Sequence, residues 1–332
     1  MVKIKDIASK SGFSQATVSR LLKGDESLSI TDETRSKIIH TALSLGYDRS
    51  KIKTVLEKIA VLFWLTEQDE LQDVYFVKLR RSLEKYSKLN NMEIVIVKHE
   101  DGIDSIPVGV SGFIGVGSFS SKEAKQLKSI LPKGVFLEIN PEQDLFDTVK
   151  PDTDRMTKKA IDCFLDNNYK NIGFIGGSFH NPDADNDEVD SREAVFRCYL
   201  ESKNILQEKY IYSGGKFAVS QGYELTLRLI DELKDDLPDA VLIASDTIAV
   251  GALQAFNEKG ISIPEQVSII SINDNDIAKF VSPPLTTFRI DVDEIAKTAV
   301  ELLLDQLVYP RSITKMILVG SELIERKSFV KI

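Results

Sequence analysis

Two kinds of hydrophobic pattern divide this chain. Up to about residue 46, apolar positions return every three or four residues; beyond residue 58 they come in short unbroken runs. In the first part Ile4, Ile7 and Ala8 form a stripe that Gly12 interrupts, and Val18, Leu21 and Leu22 form a second that ends at Gly24. The spacing predicts two short helices joined by a glycine turn. A third helix is predicted after Thr31, which suits an N-cap, with Asp32 and Glu33 at the positive end of the helix dipole. It would bury Ile38, Ile39, Ala42 and Leu45 and stop at Gly46. If Val18, Leu21 and Leu22 face inward, Gln15, Ala16, Ser19 and Arg20 lie on or beside the outer face of the second helix. Such a polar helix end fits the major groove of DNA, where amide and guanidinium groups read base edges. Periodicity alone also allows a plainer reading, an amphipathic helix pair packed on the rest of the chain.

Beyond residue 58 the runs IAVLFW, MEIVIV, SGFIGVG, GVFLEI, NIGFIGG, AVLIAS and VSIISI read as buried strands, separated by amphipathic stretches such as DEIAKTAVELLLDQL. Continuous apolar strands alternating with helices predict parallel sheets covered on both faces. Their number predicts two α/β lobes, roughly residues 59–151 and 152–280, with the C-terminal region crossing between them. Ligands of open α/β sheets sit beyond the carboxyl ends of the strands. Those positions are polar here: Glu138, Asp152, Ser245, Asp246, Asn273 and Asp274. Each alone reads as a helix cap or solvated loop residue. Together they favour a polar cleft, and carboxylates and amides with an Arg and an aromatic ring suit the hydroxyls and C–H face of a sugar.

Charge sharpens the division. The 332 residues hold 42 Lys+Arg against 51 Asp+Glu, a net −9, yet residues 1–58 carry 11 against 7. A basic head on an acidic body is expected where only the head meets a polyanion. Neither a signal peptide nor an apolar stretch of about 18 residues is visible, which makes the cytoplasm the expected location and excludes a membrane partner. Cys163 and Cys198 read as reduced structural thiols, and His40, His99 and His180 are too scattered for metal-ligand spacing, so neither metal nor cofactor is expected. The glycine-rich strand ends lack the full dinucleotide fingerprint, and no GxxxxGK[ST] loop occurs. No catalytic residues are assigned and an enzyme is disfavoured. A sugar-binding transport protein would share the body but should carry an export signal and no DNA-binding head.

The stretch DIASKSGFSQATVSRLLKG, followed by TRSKIIHTALSLGY, resembles the helix-turn-helix and third helix of the lactose/galactose repressor (LacI/GalR) family almost position for position. The resemblance implies that Gln15, Ala16 and Arg20 take the base-reading positions, while Ser14, Thr17 and Ser19 cap the helix or touch phosphates. Ala16 offers only a methyl group, which leaves discrimination to Gln15 and Arg20. NIGFIGG, SREAVFRCY, SGGKFAVSQGYELT, VLIASDTIAVGALQAFNEKGISIP and SINDNDIAKFVSPPLTTFRI look like the sugar-sensing core of the same family, so the likeness covers essentially the whole chain. It implies an α/β fold with a three-helix head at 1–47, a hinge at 48–58 and a two-lobed, periplasmic-binding-protein-like core at 59–332. Glu138, Arg192, Phe217 and Asn273 would face the effector, bordered by Ser245 and Asp246. Phe217 stands where some members carry a stacking Trp, and Ser245 where others carry Asn.

The hinge departs from the family. Where most members continue with Pro-Asn and a short AR-x-L helix that presses a Leu into the minor groove, this chain reads DRSKIKTVLEK, with Ile52, Lys53 and Val55 at those positions. Val55 or Leu56 could still wedge between base steps, and Lys51 and Lys53 could grip phosphates. Because β-branched residues weaken a short helix, the segment is expected to lack fixed structure until operator DNA orders it. The function implied is a transcriptional regulator, a repressor of sugar-utilisation genes whose grip on double-stranded operator is set by galactose or a β-galactoside. Two heads are needed for two half-sites, and SELIERKSFVKI offers no heptads for a four-chain bundle, so a homodimer is expected.

Overall fold

The computed structural model describes residues 2–25, 27–48, 51–54, 57–65 and 74–329. The basic head is three helices, α1 (Ile4–Ser11), α2 (Gln15–Leu22) and α3 (Asp32–Ser44). Gly12 ends α1 in a left-handed conformation at φ 82°, which turns the chain into α2. Ile7, Ala8, Val18, Leu21, Leu22, Ile38 and Ala42 close a small core that no one of these helices could cover alone.

The first sheet is built from β1 (Glu57–Trp64), β2 (Met92–Lys98), β3 (Gly112–Gly117), β4 (Gly134–Leu137) and β5 (Asp147–Pro151), with α4 (Val74–Leu89) and α5 (Ser121–Ile130) between strands. α6 (Thr153–Asp166) then leads into a second sheet, made of β6 (Ile172–Gly176), β9 (Ile211–Ser213), β10 (Ala240–Ile243), β11 (Ser268–Asn273) and β12 (Thr286–Arg289). α7 (Ser191–Ser202), α8 (Val219–Leu233) and α9 (Asp246–Glu258) connect them, and a separate hairpin, β7 (Ser178–Asn181) with β8 (Asn186–Val189), follows β6. The chain returns to the first lobe as α10 (Val292–Val308) and β13 (Met316–Val319), then to the second as β14 (Glu322–Ile324). Strand orders are β13-β5-β4-β3-β1-β2 and β14-β12-β11-β10-β6-β9, all parallel except β14.

Both sheets are buried on two faces, which is why their strands read as unbroken apolar runs. Ile59, Val61 and Phe63 of β1 pack with Tyr75, Leu79 and Leu83 of α4 and with α10, while Ala60, Leu62 and Trp64 point to the opposite cover with Phe113, Leu127 and Phe136. In the second lobe Val241 and Ile243 meet α8 and α9 through Leu225, Leu229, Ile248 and Phe256. The C-terminal return is fastened to lobe 1 by Asp147, 1% exposed, whose carboxylate accepts from Gln306 Nε2, from Arg311 and from the Lys315 amide at 2.7 Å. The molecule is therefore an α/β protein with a helical head and a core of two parallel-sheet lobes, whose parallel strands end in carboxyl edges where a ligand can sit.

Candidate DNA-reading face and effector cleft

The outer face of α2 follows from its inner one. Val18, Leu21 and Leu22 are at most 3% exposed, which rotates Gln15, Ala16 and Arg20 outward and leaves Thr17 and Ser19 half-buried. Ser14 is the N-cap: its Oγ accepts from the Thr17 amide at 3.0 Å and meets Thr17 Oγ1 at 2.9 Å. Arg20 is held at its base, with Nε donating to Asp25 Oδ2 at 2.7 Å and Nη2 to Ser27 Oγ at 3.0 Å. Those bonds, from Arg20 first and Ser27 next, hold the Asp25 carboxyl down at about 2.

Lys51 and Lys53 are exposed just beyond the head. The residues around them are not loose. Ile52, 2% exposed, inserts into the head core, the Lys53 amide donates to Leu22 O at 2.8 Å, and Thr54 Oγ1 donates to Leu21 O. From lobe 1, Asn91 Nδ2 donates to the carbonyls of Ile52 and Thr54. Residues 51–54 thus differ from the expected unstructured hinge, because a β-branched apolar side chain finds room between α2 and α3 where a small or charged one would not be retained. Gly24, at φ +71°, makes this seat possible: a Cβ there would lie 3.1 Å from Lys53 O. Val55 and Leu56 lie outside the described residues.

At the carboxyl ends of the second sheet, Arg192, Phe217, Ser245, Asp246 and Asn273 are brought together. The Arg192 guanidinium lies 4.6 Å over the Phe217 ring and donates from Nη1 to Ala244 O, just past β10, at 2.7 Å. Nε and Nη2 fork onto Asp190 at 2.6 and 2.8 Å, in a pair only 15% and 12% exposed. Asp190 also caps α7 by accepting the Arg192 amide at 2.9 Å. Burial alone would push the Asp190 carboxyl up; the charge and N–H groups of Arg192 overcome this and hold it below the usual range. Arg192 therefore pairs with its helix neighbour while reaching the carboxyl end of β10.

Ser245 and Asp246 stand behind this surface. Ser245 Oγ, 1% exposed, caps α9 through the Ile248 amide at 3.2 Å. Asp246 is fully buried, and its carboxylate accepts from Ser271 Oγ at 2.5 Å, Thr287 Oγ1 at 2.7 Å and the Asn275 amide at 2.7 Å. Desolvation outweighs those bonds and raises its carboxyl to about 6. Backbone strain appears in both lobes: Glu138, which follows β4 in lobe 1, has φ 65°, and Asn273 and Asp274 in lobe 2 have 122° and 55°. Glu138 belongs to lobe 1, directly after β4, whereas Arg192, Phe217, Ser245, Asp246 and Asn273 lie on lobe 2. Asp274 is anchored by Arg289 and Arg326, and Asp152 caps α6 through the Arg155 amide at 3.1 Å, so both act as local anchors.

The β7–β8 hairpin leaves the carboxyl end of β6 and reaches across to lobe 1, where both carboxylate oxygens of Asp183 accept the Ser121 amide at 3.0 and 2.8 Å. That amide is the first of α5, so the carboxylate sits at a positive helix end. Glu123 on the same helix accepts the Trp64 indole N–H at 2.8 Å. Asp183, Asp25 and Asn91 were not singled out in the sequence, whereas Asp190, two residues before Arg192, was legible as its neighbour at the start of the same helix. Among the described residues no group of three or more His, Cys, Asp and Glu is placed to hold a metal, and no helix is long and apolar enough to cross a membrane.

Comparison with known proteins matches residues 3–50 to "Bacterial regulatory proteins, lacI family" and residues 161–329 to "Periplasmic binding protein-like domain". The chain is 49% identical over 328 residues to the HTH-type transcriptional regulator GanR of Bacillus subtilis (strain 168), covering 99% of each. It is 39% identical to the HTH-type transcriptional regulator LacR of Lactobacillus helveticus, covering 98% of each. Its fold matches a lac repressor dimer solved with operator and the anti-inducer ONPF at TM-score 0.69 and 20% identity, over 98% of each chain. A transcriptional regulator CelR–cellobiose complex matches at TM-score 0.69 and 18% identity, over 99% of this chain and 100% of that one.

Proposed function

The chain belongs to the lacI family of bacterial regulatory proteins, and on that premise we propose that it represses sugar-utilisation genes, its hold on operator DNA set by a small sugar, galactose or a β-galactoside, bound between the lobes. Its relatives are transcriptional regulators, and it is a DNA-binding regulator rather than an enzyme. The observation that carries the effector assignment is the Arg192 guanidinium stacked on Phe217 at the ends of the second sheet. An arginine anchored by Asp190 and Ala244 O beside an aromatic ring is the kind of pairing that suits the hydroxyls and C–H groups of a sugar. Asn273 and Glu138 complete the polar lining from the two lobes, and Ser245 and Asp246 brace it from behind.

On DNA, Gln15, Ala16 and Arg20 read bases in the major groove, with Ser14, Thr17, Ser19, Lys51 and Lys53 on phosphates. Two copies of the chain pair so that two heads span two half-sites, in the cytoplasm where operator DNA lies. Operator would draw the hinge off the head into a short helix that presses Val55 or Leu56 into the minor groove. Extracting Ile52 from the head core costs about 1.5–3 kcal/mol, which operator contacts must exceed. Sugar can release the protein only by binding one lobe arrangement better than the other.

The test is fluorescence anisotropy on an operator selected from random duplexes, titrated with galactose, methyl β-galactoside, glucose and galactose 6-phosphate. A galactoside should lower operator affinity at the lowest concentration. If none of these sugars changes operator binding or the unfolding midpoint, the effector assignment fails while the DNA-binding assignment stands.

A further inference from the structure

We propose that Asp25 and Ser27, in the loop after α2, act as a buttress that makes Arg20 a guanine reader rather than a phosphate clamp; this rests on the reading that α2 enters the major groove. A guanidinium has a side edge, Nε with one Nη, and an end edge formed by its two Nη groups. The side edge of Arg20 is held by Asp25 Oδ2 at 2.7 Å and Ser27 Oγ at 3.0 Å. The edge those two residues do not hold is the end edge, whose parallel N–H donors match O6 and N7 of a guanine.

The buttress is itself fixed. Asp25 Oδ1 accepts the Ser27 amide at 3.0 Å and Ser27 Oγ at 2.6 Å, and the Asp25 amide donates back to Arg20 O at 3.1 Å. The left-handed Gly24 turns the loop under the arginine, so a long side chain that would otherwise sample many rotamers is pinned at its root. Stability does not explain the pair, since Arg20 and Asp25 are 47% and 34% exposed and such ion pairs add little. Phosphate binding does not explain it either. A carboxylate beside a phosphate-gripping arginine cancels its charge and repels the polyanion, whereas a base-reading arginine needs direction more than net charge. Base reading is the one role of Arg20 in which Asp25 helps.

Operator and random-duplex affinities are measured across a salt series for the full-length protein and its Asp25→Ala, Asp25→Asn, Ser27→Ala and Arg20→Ala variants, with far-UV circular dichroism melts to confirm that each head folds. A second operator carries 7-deazaguanine at each half-site guanine in turn. Asp25→Ala should lower the operator-to-random ratio about tenfold, raise random-duplex affinity and steepen the salt slope by about one. Asp25→Asn and Ser27→Ala should fall between it and the unchanged protein. In an Arg20→Ala background, Asp25→Ala should leave the ratio unchanged, and one 7-deazaguanine should stop mattering once Arg20 or Asp25 is removed. Equal gains on operator and random DNA for Asp25→Ala would overturn the buttress, showing that Asp25 merely repels phosphate. If the folded, unchanged protein makes no distinction between operator and random DNA, the major-groove reading falls, and the buttress with it.

Discussion

Replacing Asp246 by Asn should stabilise the protein at neutral pH and leave it little changed in acid. The carboxylate is fully buried, and its pKa stands at about 6 against an ordinary 3.8. A raised value means that the folded protein holds the proton more tightly than the unfolded chain. Its contribution is therefore fully favourable below pH 3.8 and is lost as pH rises towards and through 6, then stays constant. At 1.36 kcal/mol per unit, the roughly two-unit gap amounts to about 3 kcal/mol above pH 7, shrinking to about 1 kcal/mol near pH 4.5. Asparagine fits the same site, with its oxygen accepting the Asn275 amide and its NH2 donating to the Ser271 and Thr287 hydroxyls after those rotate. The variant keeps three hydrogen bonds and loses the desolvated charge. Calorimetric midpoints of both proteins between pH 4.5 and 7.5 give the check; at about 1.5–2 °C per kcal/mol for a chain of this size, the variant should melt about 4–6 °C higher at pH 7.5. Their difference, not either curve alone, is the readout, because other carboxylates also titrate. A variant that melts lower at pH 7.5, or whose advantage does not change with pH, would refute the reasoning.

Arg192→Ala should lose about 3–5 kcal/mol of stability, because it strands the buried Asp190 carboxylate, whereas Arg192→Lys should keep the fold and lose the sugar response of operator binding. A normal response in the lysine variant would remove Arg192 from the effector site. Lys51→Ala and Lys53→Ala should weaken operator and random DNA alike and lower the salt slope by about one each, read by anisotropy; a loss confined to operator would contradict a phosphate role. Asp183→Asn should raise the sugar midpoint roughly threefold to tenfold, followed by emission of Trp64, the single tryptophan, whose indole is bonded to the helix that Asp183 meets; an unchanged midpoint would show the hairpin to be passive. Light scattering at micromolar concentration should give the mass of two chains, and four would contradict the dimer.

The head was legible because its information is local: Gly12, the Ser14 cap and the Val18, Leu21, Leu22 stripe lie within a dozen residues and fix which side of α2 faces out. The strands of both lobes were legible for a similar reason, since burial on two faces writes itself as apolar runs. What stayed hidden depends on partners distant in sequence. The β7–β8 hairpin has no apolar alternation in SFHNPDADNDEV, and the partner of Asp183 is 62 residues away. Asp246 looked like a cleft residue because it follows a strand, yet Ser271 and Thr287, on β11 and β12, draw its carboxylate inward. Ile52 read as a weak helix former, and only the space between α2 and α3 explains its burial. The pairing of Arg192 with Asp190 is local, but its burial is not, since it depends on Phe217 and on Ala244 O, 52 residues away.

The return of the chain to lobe 1 has a consequence for the order in which the protein is made. The head needs only the first 54 residues to close its core, Ile52 included, but the first sheet lacks its edge strand until Val319 is available to pair with Pro151, and Asp147 lacks Arg311 and Lys315 until then. At ribosomal speeds of about 5–20 residues per second, that separates the two events by roughly 13–53 s. During synthesis a DNA-reading head can thus be folded while the lobe that must govern it is still incomplete. A chain interrupted anywhere between these points would carry the head without a finished sensor.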